Sequence, residues 1–329
     1  VNQNKNIIVF GGAGYIGSHA VLALAEAGYS PIIYDNFSNG NRSIATKLAV
    51  PLIEGEISDR KLLAQSFDKF APTAVMHFAA YAYVGESVED PSKYYNNNVN
   101  TTLVLLDEMR KANINNFIFS STCATYGVPD RFPIDEQTTQ CPVNPYGHTK
   151  LMVEQILSDF DKAYNFKSVI FRYFNAAGAH PSGSIGELHN PETHLIPLTF
   201  SAATGGAALK VFGNDYDTQD GTCIRDYIHV SDIAEAHVLG LEYLLKNKKS
   251  DVFNIGTGTG TSVLEIIKSV EKISGKKVQF LMNPRRAGDP AKLVADSLKI
   301  KKILGWNPKY SDLETIIKTA WNWHISLGL

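Results

Sequence analysis

Two short runs of this chain carry residues whose types and spacing suit chemistry. Tyr146-Gly147-His148-Thr149-Lys150 sets a phenol and an ammonium four residues apart, so on a helix both stand on one face. A tyrosine ordinarily ionises at about pH 10, too high for a base at neutral pH. A neighbouring ammonium, and a cationic ring brought by a ligand, would each lower that value, which gives the pairing a chemical reason. Ser120-Ser121-Thr122 adds hydroxyls at the end of an apolar run. Thr122 is placed to share a hydrogen bond with a substrate hydroxyl that Tyr146 deprotonates; a helix cap or turn is its plainer reading. The second run is Gly11-Gly12-Ala13-Gly14-Tyr15-Ile16-Gly17. Gly11 suits a tight turn, Gly14 lets backbone approach a pyrophosphate, and Gly17 permits close helix–strand packing with the helix N-terminus aimed at the anion. Asp35 lies 18 positions beyond Gly17. Its carboxylate would accept from an adenosine ribose and repel a 2′-phosphate, favouring NAD over NADP. A strand-end turn at Asp35-Asn36 is compatible with that role.

Such groups need elements to hold them. Nearly unbroken apolar runs at Asn6–Phe10, Pro31–Tyr34, Val50–Glu54, Ala74–Phe78, Phe117–Ser120 and Ser168–Tyr173 predict parallel strands covered on both faces. Helical patterns fall between them at Tyr15–Ala27, Asp59–Phe70, Ser92–Lys111 and Asn144–Tyr164. The series is βαβ, so the expected fold is α/β, a Rossmann-type doubly wound parallel sheet. Ligands of such sheets sit at the carboxyl ends of the strands, where Ser120–Thr122 falls. The texture changes after Asn175, with an irregular Gly-, Pro- and His-containing stretch over 176–194 and a polar loop at Phe212–Arg225. Helix and strand patterns resume at Val230–Leu245, Val252–Ile255, Ser262–Ile273 and Leu313–Ile325. We therefore expect a dinucleotide-binding domain over 1–175, with 228–256 returning to it, and a smaller α/β substrate domain over 176–329.

Composition narrows the function classes. With 31 basic and 33 acidic residues in 329, the net charge of −2 gives no electrostatic footprint for nucleic acid or a membrane surface. No apolar run approaches the ~20 residues of a membrane helix, and the polar Val1–Asn6 has no signal-peptide core. Cys123, Cys141 and Cys223 are odd in number and scattered, which fits a reducing cytoplasm. Cys123 lacks an evident base partner and reads as packing. His180, His189 and His194 lack an i, i+4 pair and carboxylates at useful spacing, so no metal site is expected.

The stretches GGAGYIGSH (11–19), YDNFSNGNRS (34–43), HFAAYAYVGESVEDP (77–91), YYNNNVN (94–100), FSSTCATYG (119–127), NPYGHTK (144–150), RYFNAAGAHPSG (172–183), VFGNDYDTQDGTCIRDYIHV (211–230) and RRAGDPAKL (285–293) cover essentially the whole chain. On them it resembles the extended short-chain dehydrogenase/reductase family, most closely its UDP-sugar 4-epimerase branch; the glycine spacing is the variant typical of that family. The resemblance implies reversible inversion at carbon 4 of UDP-glucose or UDP-galactose through a 4-keto sugar, with NAD as cofactor. It gives Thr122, Tyr146 and Lys150 the catalytic roles. For NAD it implies Gly11, Gly14, Tyr15, Ile16 and Gly17 at the pyrophosphate. Asp35, Asn36, Asn39, Glu56 and Ile57 belong to the adenosine end. Phe78, Ala79, Ala80, Asn97, Ser120 and Tyr173 line the rest, with Tyr146 and Lys150. For the UDP-sugar it implies Thr122, Phe174, Asn175, His194 and Leu195, then Phe212 at the uracil. Arg225 and Arg286 would grip the diphosphate, Asp289 a ribose hydroxyl, and Leu293 would border the sugar; planar guanidinium suits phosphate.

Some positions depart from the branch pattern. Glu56 stands for an Asp at the adenine, Ala82 for a Lys at the cofactor, and His194 for an Asn at the diphosphate. Leu293 replaces a Tyr, leaving room for an N-acetylated sugar. UDP-pentose and UDP-N-acetylhexosamine epimerases remain alternatives. A 4,6-dehydratase would carry Asp-Glu after the threonine, where Cys123-Ala124 stands. A non-catalytic NAD-binding protein would have lost Tyr146 or Lys150. The resemblance also implies a homodimer through the helical regions Ser92–Lys111 and Asn144–Asp161.

Overall fold

The computed structural model describes residues 4–286 and 289–328; Ala287 and Gly288 of the RRAGDPAKL stretch, and residues 1–3 of the polar start, lie outside the described residues. Two compact units emerge. One comprises the chain up to Gly127 with Thr139–Tyr173 and Ala234–Phe253, and the other Val128–Thr138, Phe174–Ile233 and the chain from Asn254 on.

The first unit is built on β1 (Asn6–Phe10), β2 (Ser30–Asp35), β3 (Leu52–Glu54), β4 (Ala74–His77), β5 (Asn116–Thr122) and β6 (Lys167–Tyr173). They form a seven-stranded sheet in the order β3-β2-β1-β4-β5-β6 followed by the strand Asp251–Ile255, the Rossmann order with one further strand. Every pairing from β3 to β6 is parallel. The central strands are largely apolar because helices cover both faces: Ile8, Phe10, Val75, Phe117 and Phe119 meet Leu63, Phe67, Leu105, Leu106 and Val153 in one core. The helices are α1 (Tyr15–Glu26), α2 (Arg42–Leu48), α3 (Arg60–Phe70), α4 (Val84–Glu89), α5 (Pro91–Tyr94), α6 (Thr101–Lys111) and α7 (Pro145–Tyr164), with most of the helix Val230–Asn247. The start of α7 is fixed by sequence: the Asn144 side chain accepts from Gly147 N at 2.8 Å and Pro145 occupies the first turn.

One expectation changes here. The helix expected over Ser92–Lys111 is interrupted between α5 and α6 by a π-helical turn at Tyr95–Asn100. Wider turns of this kind are uncommon and tend to occur at functional positions.

Among the described residues, the second unit has no large sheet. Its strands pair in twos and threes: Asn175–Ala177 with Tyr227–His229, Leu209–Phe212 with Phe280–Asn283, and Ile224–Arg225 between Thr261–Ser262 and Lys292–Leu293. Its core lies among the helices Leu195–Ala203, Val263–Ser274 and Leu313–Ser326, through Ile196, Phe200, Ile266, Ile267, Ile316 and Ile317. Buried Asp226 ties the short strands together by accepting from Thr257 N, Gly258 N and Ala295 N at 2.8, 3.0 and 3.1 Å.

Candidate active site

The groups that read as chemistry meet where β5 ends. Thr122, the last residue of β5, caps the 3-10 turn Cys123–Tyr126 by accepting from Ala124 N at 3.1 Å, and its hydroxyl acts to lower the pKa of the Tyr146 phenol. Cap and catalytic candidate are thus the same hydroxyl. Lys150, one turn further along α7, is fully buried and donates to the Ser120 carbonyl at 2.7 Å. Its Nζ lies 4.9 Å from the Phe119 ring centre and 6.0 Å from that of Tyr146. Ser120 and Tyr173 share a short hydroxyl–hydroxyl hydrogen bond across β5 and β6.

The electrostatics of this cluster differ from the expectation that the ammonium lowers the phenol. Burial pushes Tyr146 up to about 12, against which the Thr122 hydrogen bond works in the opposite sense. Burial likewise pushes Lys150 down to about 7, with Glu154 opposing it. Desolvation dominates both because each charged form loses its water. In this arrangement the ammonium is engaged by a backbone carbonyl, and the phenol keeps its proton.

A second feature of the first unit is the glycine turn between β1 and α1. A Cβ on Gly11 (φ +74°) would lie 2.7 Å from Ala79 N, and one on Gly17 would lie 2.1 Å from Gly11 O, so both positions exclude side chains. A Cβ on Gly14 would meet only Gly11 O, at 3.3 Å. Gly14 begins α1 without a side-chain cap, which leaves the helix N-terminus to an anion. The Asp35 carboxylate accepts from Ala13 N at 2.9 Å and Phe37 N at 2.8 Å. It therefore holds the glycine turn and retains lone pairs for a ribose. Asn36 donates to the Glu56 carboxylate at 3.1 and 3.0 Å, Ile57 is buried beside it, and Asn39 is exposed. These residues fit a dinucleotide.

Around β4, Phe78 packs on His237 at 4.8 Å between ring centres, and Ala79 and Ala80 are half-buried. Asn97 lies in the π turn and donates to Asn98 at 3.0 Å. Sequence reasoning passed over Asn98 itself. Buried, it accepts from Tyr81 N at 2.9 Å and donates to Tyr81 O at 3.0 Å and Thr149 Oγ1 at 3.1 Å. It thereby ties the segment after β4 to the helix that carries Tyr146. The signal available was the run Asn96-Asn97-Asn98 inside a helical pattern. Also unforeseen is the buried pair of Glu154 on α7 and Arg172 on β6, joined at 2.6 Å. Arg172 donates to the Tyr126 hydroxyl at 2.9 Å, and Glu154 accepts from Ser121 and from Gln140.

In the second unit, Arg225 forms an ion pair with Asp289 and donates to Ile224 O at 2.8 Å. The guanidinium expected at a diphosphate and the carboxylate expected at a ribose are therefore partnered with each other. Arg286 stacks over the Phe212 ring at 3.9 Å. Leu293 is half-buried on the strand beside Arg225, Phe174 is buried, and Asn175 N donates to Asp226 O at 2.9 Å. His194 precedes Leu195, the first residue of its helix. The expectation that the loop histidines lack carboxylate neighbours is corrected: Glu187, His189, Glu192 and His194 come together. Short-range spacing fails in an irregular loop, which folds back on itself.

Residues 7–256 match the model of the NAD dependent epimerase/dehydratase family. The chain belongs to the NAD-dependent epimerase/dehydratase family. Within this family it is 52% identical over 321 residues to the UDP-glucose 4-epimerase of Rhizobium leguminosarum bv. trifolii, covering 97% of each chain. The crystal structure of UDP-glucose 4-epimerase from Brucella ovis in complex with NAD superposes with a TM-score of 0.94 at 52% identity, over 97% of this chain and 98% of that one. The UDP-glucose 4-epimerase of Stenotrophomonas maltophilia with bound NAD and formylated UDP-arabinopyranose gives 0.95 at 39% identity, over 98% and 99%. Among the described residues no helix is long and apolar enough to cross a membrane.

Proposed function

We propose that this chain inverts carbon 4 of a UDP-hexose, interconverting UDP-glucose and UDP-galactose with NAD as cofactor. The observation that carries the reading is the gathering of Thr122 at the carboxyl end of β5, Tyr146 on the first turn of α7 and Lys150 one turn on, buried and donating to the Ser120 carbonyl at 2.7 Å. Near-full-length similarity to UDP-glucose 4-epimerases supports it. NAD would rest on Gly11, Gly14, Tyr15, Ile16 and Gly17, with Asp35 at its ribose and Lys150 toward its other end. When bound, it supplies a reversible two-electron acceptor and a cationic ring.

Tyr146, as phenolate, takes the proton of the sugar 4-hydroxyl as that carbon becomes a ketone, and gives it back when the opposite face has been presented. Thr122 shares the hydrogen bond that aligns the hydroxyl. Lys150 stabilises the phenolate by its charge, and a second cation is required because burial holds the phenol near pH 12. Arg225 would exchange Asp289 for a diphosphate, joined by Arg286 and His194. Asp289 would then accept from a ribose hydroxyl, Phe212 would flank the uracil, and Phe174, Asn175, Leu195 and Leu293 would bound the sugar.

We further read the chain as a cytoplasmic homodimer. None of the three cysteines is in a disulfide, and Val88, Leu103 and Met152 on α4, α6 and α7 are exposed by 63%, 38% and 40%. Light scattering of the purified chain reads the dimer directly. For the activity, the test is incubation with UDP-galactose and, in parallel, UDP-arabinose, with and without added NAD, followed by chromatographic separation of the sugars. UDP-glucose is the expected product; absence of conversion in the presence of NAD overturns the reading, and faster turnover of UDP-arabinose moves it to a pentose.

A further inference from the structure

Among the described residues, the second unit brings together one cluster with the donor set of a metal site, which includes His194. Glu187, His189, Glu192 and His194 each offer one ligand atom, and these four atoms lie within 4.8 Å of one another. His189 Nδ1 is 3.2 Å from a Glu187 oxygen and 3.7 Å from Glu192, and His194 Nδ1 is 3.6 Å from Glu192 and in contact with Glu187. Bonds of about 2.0–2.1 Å to a tetrahedral zinc ion imply ligand–ligand edges of about 3.3–3.4 Å. The separations of 3.2, 3.6 and 3.7 Å lie near that edge length, the two from Glu192 being to different oxygens of its carboxylate.

The surroundings hold the ligands in place before an ion arrives. Trp323 Nε1 donates to Glu187 O at 2.7 Å, and a Cβ on Gly186 would lie 2.5 Å from the Trp323 ring, so the loop is seated on that indole. One Glu192 oxygen accepts from Thr193 N and His194 N at 2.7 and 2.8 Å, which orients the carboxylate as outer hydrogen bonds orient the ligands of metal sites. The side chains of Glu187, His189 and Glu192 are shielded, with exposures of 9%, 15% and 22%, whereas His194 is 49% exposed. A closed site with one open edge has an entry path. Once ligation has displaced any imidazole protons, two carboxylates and two imidazoles sum to −2, matching a divalent cation, and imidazole ligands favour a first-row transition metal over magnesium or calcium.

We propose that Glu187, His189, Glu192 and His194 form a structural Zn²⁺-class site that clamps the loop ahead of the helix Leu195–Ala203. The site uses Nδ1 of His194, the ring nitrogen that faces Glu187 and Glu192. His194 begins that helix with no side-chain cap, and the ion would fix its entry instead. The inference does not rest on the epimerase reading, because it is read without turnover.

The test strips the full chain with a chelator, removes the chelator, and titrates Zn²⁺ alone by calorimetry, with Mg²⁺ as the control. Expected are one zinc per chain by elemental analysis, a rise in Tm on zinc addition, no response to Mg²⁺, and a loss of affinity of about tenfold or more in His189→Ala and in Glu192→Gln. Co²⁺ added to the unmutated chain should give the visible absorption of a tetrahedral site, which keeps the idea testable if a variant does not fold. Substoichiometric zinc, octahedral Co²⁺ spectra, or unchanged affinity in both variants would show an ion-pair network only and overturn the proposal.

Discussion

The two units keep their polar side chains in different kinds of places. In the first, Ser120, Thr122, Tyr146 and Lys150 stand at the end of a seven-residue strand and on the first turns of a 20-residue helix, braced by a buried sheet. In the second, Arg225, Asp289, Leu293 and His194 stand on two-residue strands, loops and a helix start. Long elements fix a proton donor to within a fraction of an ångström, which general acid–base chemistry needs. Short elements can be exchanged without disturbing a large core, which suits the recognition of different sugars. The contrast predicts that changes in the first unit abolish turnover or stability, whereas changes in the second mainly move affinity and selectivity.

The largest effect is expected at the phenol. Tyr146→Phe should lower kcat by about 10²–10⁴-fold with the circular dichroism spectrum unchanged, measured under saturating UDP-galactose. Near-normal turnover would break the division between the units at once. Lys150→Met should lose activity similarly, yet gain thermal stability. The native lysine is depressed to about 7 from 10.5, so its charging cost is fully present below pH 7 and fades as pH rises towards 10.5. The gain in Tm should therefore be larger at pH 6 than at pH 9.

Next in size is the buried ion pair. Arg172→Met leaves the Glu154 carboxylate without its cation inside the sheet and should cost about 3–5 kcal/mol in urea unfolding. A cost under about 1 kcal/mol would mean that the strand ends are braced by something other than Glu154 and Arg172. Smaller still, Arg225→Lys replaces a planar fork with a point charge. It should raise KM for the UDP-sugar about tenfold and leave kcat within about twofold. A fall in kcat alone would place recognition and chemistry on the same residue. The smallest is Leu293→Tyr, expected to lower kcat/KM for UDP-N-acetylglucosamine about tenfold relative to UDP-galactose, read by competing the two substrates. No turnover of the N-acetylated sugar by the native chain would dispose of the roomier pocket.

The same contrast explains what could be read from the residues alone. Asn6–Phe10 appears as a strand at both ends where it was expected, and Ala74–His77 and Lys167–Tyr173 differ by one residue, because strands buried on both faces are continuous apolar runs. The glycine turn and the Tyr146–Lys150 spacing were legible because they are local. The π turn was not, since three asparagines scarcely disturb a helical period. Glu154 with Arg172, and Asn98 with Thr149, join residues 18 and 51 positions apart, and only the fold brings them into contact. The phenol's raised pKa was hidden for a related reason: desolvation depends on what surrounds a group in space. The meeting of Glu187 and Glu192 with His189 and His194 was not legible because loop geometry, unlike a helix, assigns no fixed spacing to neighbours.

Asn98 reaches both Tyr81 and Thr149 from within the widened turn between α5 and α6. Such a turn behaves like a helix into which one extra residue has been threaded. Removing a single asparagine would let it close to ordinary pitch, with the flanking faces still meeting the neighbours they meet now. What such a shortened chain would forfeit is a strut, leaving a molecule that folds but holds its reactive phenol less firmly.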